Sequence, residues 1–97
     1  MSGAAAARAA LPVRVAILAP EHALGWTIMG PADMLNSAGT VWAGLQGESG
    51  ACNPFQVCIV GRTDRPVACF HGVQILPSVS LDDAHYTPDI VIVPALF

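Results

Sequence analysis

Ninety-seven residues suffice for one small domain, and a chain this short buries only a modest core. Its composition is nevertheless 54% hydrophobic and only 11% charged, against about 25% charged in ordinary soluble domains, which is the profile of an inner slice of a larger body. The net charge is −3, the four cations are the scattered arginines Arg8, Arg14, Arg62 and Arg65, and lysine is absent, which excludes a basic stripe for nucleic acid, a Schiff-base lysine and a P-loop lysine within this sequence.

The opening MSGAAAARAALP has alanine runs but no run of Leu, Ile or Val, which argues against a secretory signal, and residues 1 to 12 are expected to form a disordered arm. No stretch reaches about 18 apolar residues without Pro, Gly or charge, so no membrane span or membrane partner is expected. Cys52, Cys58 and Cys69 are odd in number and lack framework spacing, which points to a reducing, cytoplasmic setting.

VRVAIL, residues 13 to 18, is a β-branched apolar run between Pro12 and Pro20 and predicts a central strand buried on both faces. Gly30-Pro31 places a proline where helices accept one, in the first turn. From there Met34, Leu35, Ala38, Val41, Trp42 and Leu45 recur on one helical face, predicting a continuous helix with Gly39 inside it, at about 1 kcal/mol relative to alanine. GESGACNP is turn chemistry and FQVCIVG, residues 55 to 61, the next strand, so the unit reads βαβ with parallel strands.

Beyond the turn TDRP, the runs PVACF and VQILP flank His71-Gly72 and predict an antiparallel hairpin or an excursion near the sheet edge. Ser80-Leu81-Asp82-Asp83 resembles a capping box opening one helical turn through Ala84. DIVIVP, residues 89 to 94, predicts a second fully buried strand. Such a strand needs covering helices that do not follow within the sequence, so the domain is expected to be unfinished, and the chain alone aggregated, oligomeric or molten. There is no internal repeat and no second domain.

The loop from Ala19 to Met29 follows the carboxyl end of the first strand, where open α/β sheets bind ligands. It offers Glu21, His22, Trp26 and Thr27, with Gly30 at its far end, as pocket candidates. The competing reading leaves the polar pair solvated and Trp26 in packing. The loop has no GxGxxG, which argues against a dinucleotide, and no other feature calls for a cofactor. Cys52, Cys58, Cys69 and His71 match no zinc spacing, and Cys58 and Cys69 sit in apolar runs, where cysteine acts as a small hydrophobe. On an extended strand Cys69 and His71 would share a face, but no third residue orients the histidine as a nucleophile pair requires. His85 reads as a surface residue, and Asp82 and Asp83 as capping groups.

The segments VRVAILAPEHALGWTIMGPADMLNSAG, FQVCIVGRTDRPVACFHGVQILPSVSLDDA and PDIVIVPAL resemble the ThiJ/PfpI branch of the class I glutamine-amidotransferase-like fold. The resemblance covers residues 13 to 97 and is closest to the N-terminal sensor half of GlxA-type regulators of the AraC family. It implies the N-terminal part of a flavodoxin-like three-layer α/β/α sandwich with a parallel sheet. In the family's enzymes a loop carboxylate four residues before the helix proline supports a cysteine on a later strand-to-helix elbow. Thr27 occupies the carboxylate position, none of the three cysteines matches the elbow, and no catalytic residue carries over. The resemblance thus implies a non-catalytic regulator segment that binds an unidentified small molecule and forms a homo-oligomer, with DNA reached only through a domain outside this sequence. A truncated ThiJ/PfpI enzyme, a cysteine-dependent hydrolase, hydratase or glyoxalase-like lyase, is the alternative.

Overall fold

The computed structural model describes residues 12–47, 53–83 and 85–96, without the side chain of Trp42. The expected N-terminal arm lies outside the described residues except for Pro12, as do Cys52 and Ala84. Four parallel strands form one sheet in the order β5-β2-β1-β6: β1 (Val13–Ala19), β2 (Phe55–Gly61), β5 (Val79–Ser80) and β6 (Ile90–Ile92). A separate antiparallel hairpin joins β3 (Val67–Ala68) to β4 (Gln74–Ile75). This is the parallel α/β arrangement of a partial flavodoxin-like fold, and β1 is central as its β-branched run requires.

The register runs from Val13 opposite Phe55 to Ala19 opposite Gly61, and Val15 to Ile17 lie opposite Ile90 to Ile92. Side chains alternate across the sheet, so Val15, Ile17 and Ala19 share one face with Val57 and Ile59. On that face they pack with Ile28 and Ala32 of helix α1 (Trp26–Ser37) and with Val67, Cys69 and Ile75 of the hairpin. Burying Ile28, which has no exposed surface, contributes about 2 kcal/mol.

Helix α1 departs from the sequence expectation in start, stop and phase. It begins at Trp26, five residues ahead of Pro31, behind a Gly25 that makes no side-chain cap. Pro31 therefore sits inside the helix and has no N–H for the carbonyl one turn back. The continuous helix predicted through Leu45 breaks after Ser37: Ala38 is extended (φ −63°, ψ 131°), Gly39 is left-handed (φ 74°), and a second helix, α2 (Val41–Leu45), follows. Local hydroxyls support the break, since Ser37 Oγ donates to the Asp33 carbonyl and Thr40 Oγ1 to those of Asn36 and Ser37. Gly39 is thus the residue that turns the chain, where a side chain would be strained. The predicted apolar face is also out of phase, because Met34, Val41 and Leu45 are exposed while Ile28, Ala32 and, in part, Leu35 meet the sheet.

The hairpin forms as predicted, but its tip is a 3₁₀ turn, Phe70–Gly72, with His71 at φ 65° and Gly72 at φ 79°. Ser80 and Asp83 cap a turn rather than a helix: Asp82 N–H donates to Ser80 Oγ (3.1 Å) and His85 N–H to Asp83 Oδ1 (3.0 Å). DIVIVP narrows to three strand residues and is not fully buried. Among the described residues it pairs only with β1, and Ile90 and Val91 are about half exposed. Its start is fixed by Arg14, whose backbone N–H and side chain both reach Asp89 Oδ2 and whose guanidinium also donates to Thr87 Oγ1 (3.2 Å).

An edge strand carrying exposed Ile90, Val91 and, just beyond, Val93 is a surface on which another chain can add. Sedimentation velocity across micromolar concentrations is expected to show the chain self-associating, and Val91→Lys to shift it toward monomer. A concentration-independent monomer would contradict this reading of the edge.

The sheet's second face, with Cys58, Val60 and Val91, is covered in part by the segment that contributes Leu81, Asp83, Tyr86 and Pro88. The Tyr86 hydroxyl is buried beside the Cys58 thiol and has no hydrogen-bond partner of good geometry among the described residues. Burial first, and then the Cys58 thiol, push its pKa up to about 12. A phenol whose ionisation is harder in the folded than in the unfolded chain contributes stability up to about pH 10 and loses it as pH rises toward 12. Burial also pushes the Cys69 thiol up, adding a loss of the same sign above its ordinary range. Tyr86→Phe removes an unsatisfied hydroxyl, so urea titration is expected to show a gain of about 1 kcal/mol at pH 7 and a flatter decline between pH 10 and 12.

Candidate functional site

The carboxyl ends of β1 and β2 lie side by side because Ala19 is in register with Gly61. From these ends the chain departs in two loops, and between them opens a cleft of about 700 Å³, within the usual range for small-molecule sites. One rim is Pro20 and Glu21. The other is the turn holding Arg62, Thr63 and Arg65. Leu18, Val60, Leu81 and Val93 supply the apolar wall.

Each rim is held by main-chain geometry. Gly61 ends β2 where a Cβ would lie 2.7 Å from Pro77 Cγ and 2.8 Å from the Thr63 carbonyl, so only glycine lets the turn fold back this closely. Thr63 Oγ1 then accepts from the Arg65 N–H (3.2 Å), tightening the turn, and the Arg62 carbonyl accepts from Ser80 Oγ (3.4 Å). On the first rim His22 is left-handed (φ 68°) and its N–H donates to the Ala68 carbonyl (3.0 Å), while Ala23, fully buried, accepts from the Phe70 N–H (2.9 Å). The hairpin thus braces the loop that follows β1.

Thr27 is committed to the backbone. Its hydroxyl donates to the Leu24 carbonyl (2.6 Å) and accepts from the Ala95 N–H (3.1 Å), while Leu24 N–H donates to the Ala95 carbonyl (3.0 Å). Ala23 and Leu96 form an antiparallel bridge beside it. The hydroxyl therefore ties the start of α1 to the segment that follows β6.

Of the five pocket candidates, Glu21 lines the cleft. His22 lies next to it on the same loop with an exposed side chain, Trp26 is 75% exposed at the start of α1, Thr27 forms the clamp, and Gly30 is a helical position with open space around it. The arrangement joins Glu21 instead to Arg62 and Arg65, neither of them a pocket candidate from the sequence. The rule that pointed to the loop after β1, a polar loop at the carboxyl end of a parallel strand, applies equally to GRTDRP after β2 and would have found them. Cys69 is buried and His71 exposed on a left-handed residue, so the two do not share a strand face as expected. Among the described residues no three His, Cys, Asp or Glu side chains gather as a metal site would need, and no helix is long and apolar enough to cross a membrane.

Fold and cleft together define a class: an open parallel α/β domain with a crevice at the carboxyl ends of its central strands. No family model matches the chain, and neither does any curated protein. Among solved structures, an AraC family transcriptional regulator from Pseudomonas putida is similar over 89% of this chain, with a TM-score of 0.61 and 21% identity. The chain spans about half of that protein, 48% of its length, and the likeness is one of fold.

Proposed function

We propose that the chain is the N-terminal ligand-sensing and dimerisation segment of a GlxA-like, AraC-family transcriptional regulator, built on a ThiJ/PfpI-like domain over residues 13 to 97. In this reading it works in the cytoplasm, binds a small molecule in the cleft beside Glu21, and carries out no catalysis. DNA is contacted by another domain.

The observation that carries the proposal is the shared fold across 89% of the chain with a solved AraC family regulator. Two features agree with it. The cleft stands where open α/β sheets bind ligands. Thr27, at the position where the resembling enzymes place a carboxylate, uses its hydroxyl on Leu24 and Ala95, and a hydroxyl so held neither charges nor shares a proton with a thiolate.

Sequencing the coding region downstream of Phe97 tests the reading. A pair of helix-turn-helix motifs is the expected result. A cysteine on a strand-to-helix elbow followed by a stop codon would instead assign the chain to a ThiJ/PfpI enzyme.

A further inference from the structure

The described residues contain three arginines, and the fold treats them differently. Arg14 is bound to Asp89 and Thr87. The guanidinium groups of Arg62 and Arg65 have no hydrogen-bond or ion-pair partner among the described residues, and both line the cleft. They lie three positions apart on one short turn, whose course Gly61 and Thr63 fix. Asp64, between them in sequence, is not part of the cleft wall.

We propose that this cleft binds a small organic monocarboxylate, with Arg62 and Arg65 taking the carboxylate and the wall of Leu18, Val60, Leu81 and Val93 taking an apolar body. The charges decide the class. Two arginines, Arg62 and Arg65, and one carboxylate, Glu21, are the charged residues of the lining, which therefore carries a net charge of +1 and suits a monoanion rather than a cation. Guanidinium is the planar donor that pairs with a carboxylate through two parallel hydrogen bonds. The side chains of Leu18, Val60, Leu81 and Val93 are aliphatic and offer no hydrogen-bonding group, so an apolar body is favoured over a sugar or a second charged group. The proposal deepens the sensing function and rests on it only in treating the cleft as a ligand site.

Equilibrium dialysis, which tolerates any oligomeric state, tests it with labelled 4-methylpentanoate and the uncharged, nearly isosteric 4-methylpentanamide as probes. The acid is expected to bind saturably, about tenfold or more tighter than the amide, and more weakly as salt is raised. The double variant Arg62→Gln/Arg65→Gln is expected to lose that preference with its circular dichroism unchanged, since both residues are exposed. Glu21→Gln is expected to strengthen acid binding about twofold to threefold by removing the opposing charge. Equal binding of acid and amide, undiminished acid binding in the double variant, or no saturable binding at all would overturn the proposal. Any of these leaves the regulator reading standing, whereas a downstream cysteine elbow followed by a stop codon, with no helix-turn-helix motifs, removes that reading and leaves the carboxylate site.

Discussion

Ile17→Ala is expected to remove about 3 to 4 kcal/mol, close to half the stability of a domain of this size. Ile17 has no exposed surface and sits at the middle of β1, in register with Ile59 on one side and Ile92 on the other. Truncation leaves a cavity walled by two strands on the sheet side and by the α1 layer above it. Backbone pairing on both sides of β1 holds those walls apart, so collapse recovers little of the loss. Urea unfolding followed by circular dichroism measures the change. Leu45→Ala is the control: Leu45 is 75% exposed, and its variant is expected to stay within about 0.5 kcal/mol of the parent. Equal midpoints for Ile17→Ala and Leu45→Ala would contradict the assignment of the core.

Gly61→Ala is the second large effect, expected to cost about 2 to 3 kcal/mol. The added methyl would lie 2.7 and 2.9 Å from Pro77 Cγ and Cβ and 2.8 Å from the Thr63 carbonyl. None of these is the free end of a flexible side chain. Pro77 is a buried ring and the carbonyl is backbone, so relief requires residues 62 to 66 to move away from the strand end. That movement carries Arg62 and Arg65 with it, and the folded fraction of Gly61→Ala is expected to bind 4-methylpentanoate at least several-fold more weakly. Gly30→Ala gives the opposite sign. With no atom outside its chain neighbours and its own helix backbone within 4 Å of the added methyl, it is expected to gain up to about 0.5 kcal/mol, the Pro31 ring next to it limiting the gain. Thermal unfolding of the two alanine variants in parallel therefore brackets the parent. A Gly61→Ala protein as stable as Gly30→Ala would remove the account of the turn.

The strands were legible because their physics is local. VRVAIL and FQVCIVG are β-branched runs between turn residues, and a helix between them leaves only parallel pairing. The hairpin was equally plain from His71-Gly72 between two apolar runs. Helix α1 was not, for two identifiable reasons. Its true start has no capping side chain, so the Gly30-Pro31 pair drew the boundary to itself. Its apolar count was misleading because Met34, Val41 and Leu45 are hydrophobic yet exposed, while the residue that lets the helix approach the sheet is the small Ala32. The fate of DIVIVP was hidden too, since an apolar run does not reveal whether it will be flanked on one side or two. At the cleft, the carboxyl-end rule pointed to Glu21 but not to the arginines that line it with Glu21. Arg62 and Arg65 stand in a polar turn more than forty residues from Glu21 in sequence, and only the β1 and β2 register brings the two loops together.

The pairing of Arg14 with Asp89 spans 75 residues, which gives the fold an order of assembly. β1 emerges first during synthesis, yet its two neighbours, β2 and β6, come roughly 40 and 75 residues later. A central strand completed only by distant segments must close large loops before those contacts repay the lost chain entropy, and such topologies fold slowly. Until Ile90–Ile92 is made, the β1 edge that it will occupy remains an open row of backbone donors and acceptors in an apolar strand. Of the strands in this sheet, the one synthesised earliest is thus the one left longest in need of protection.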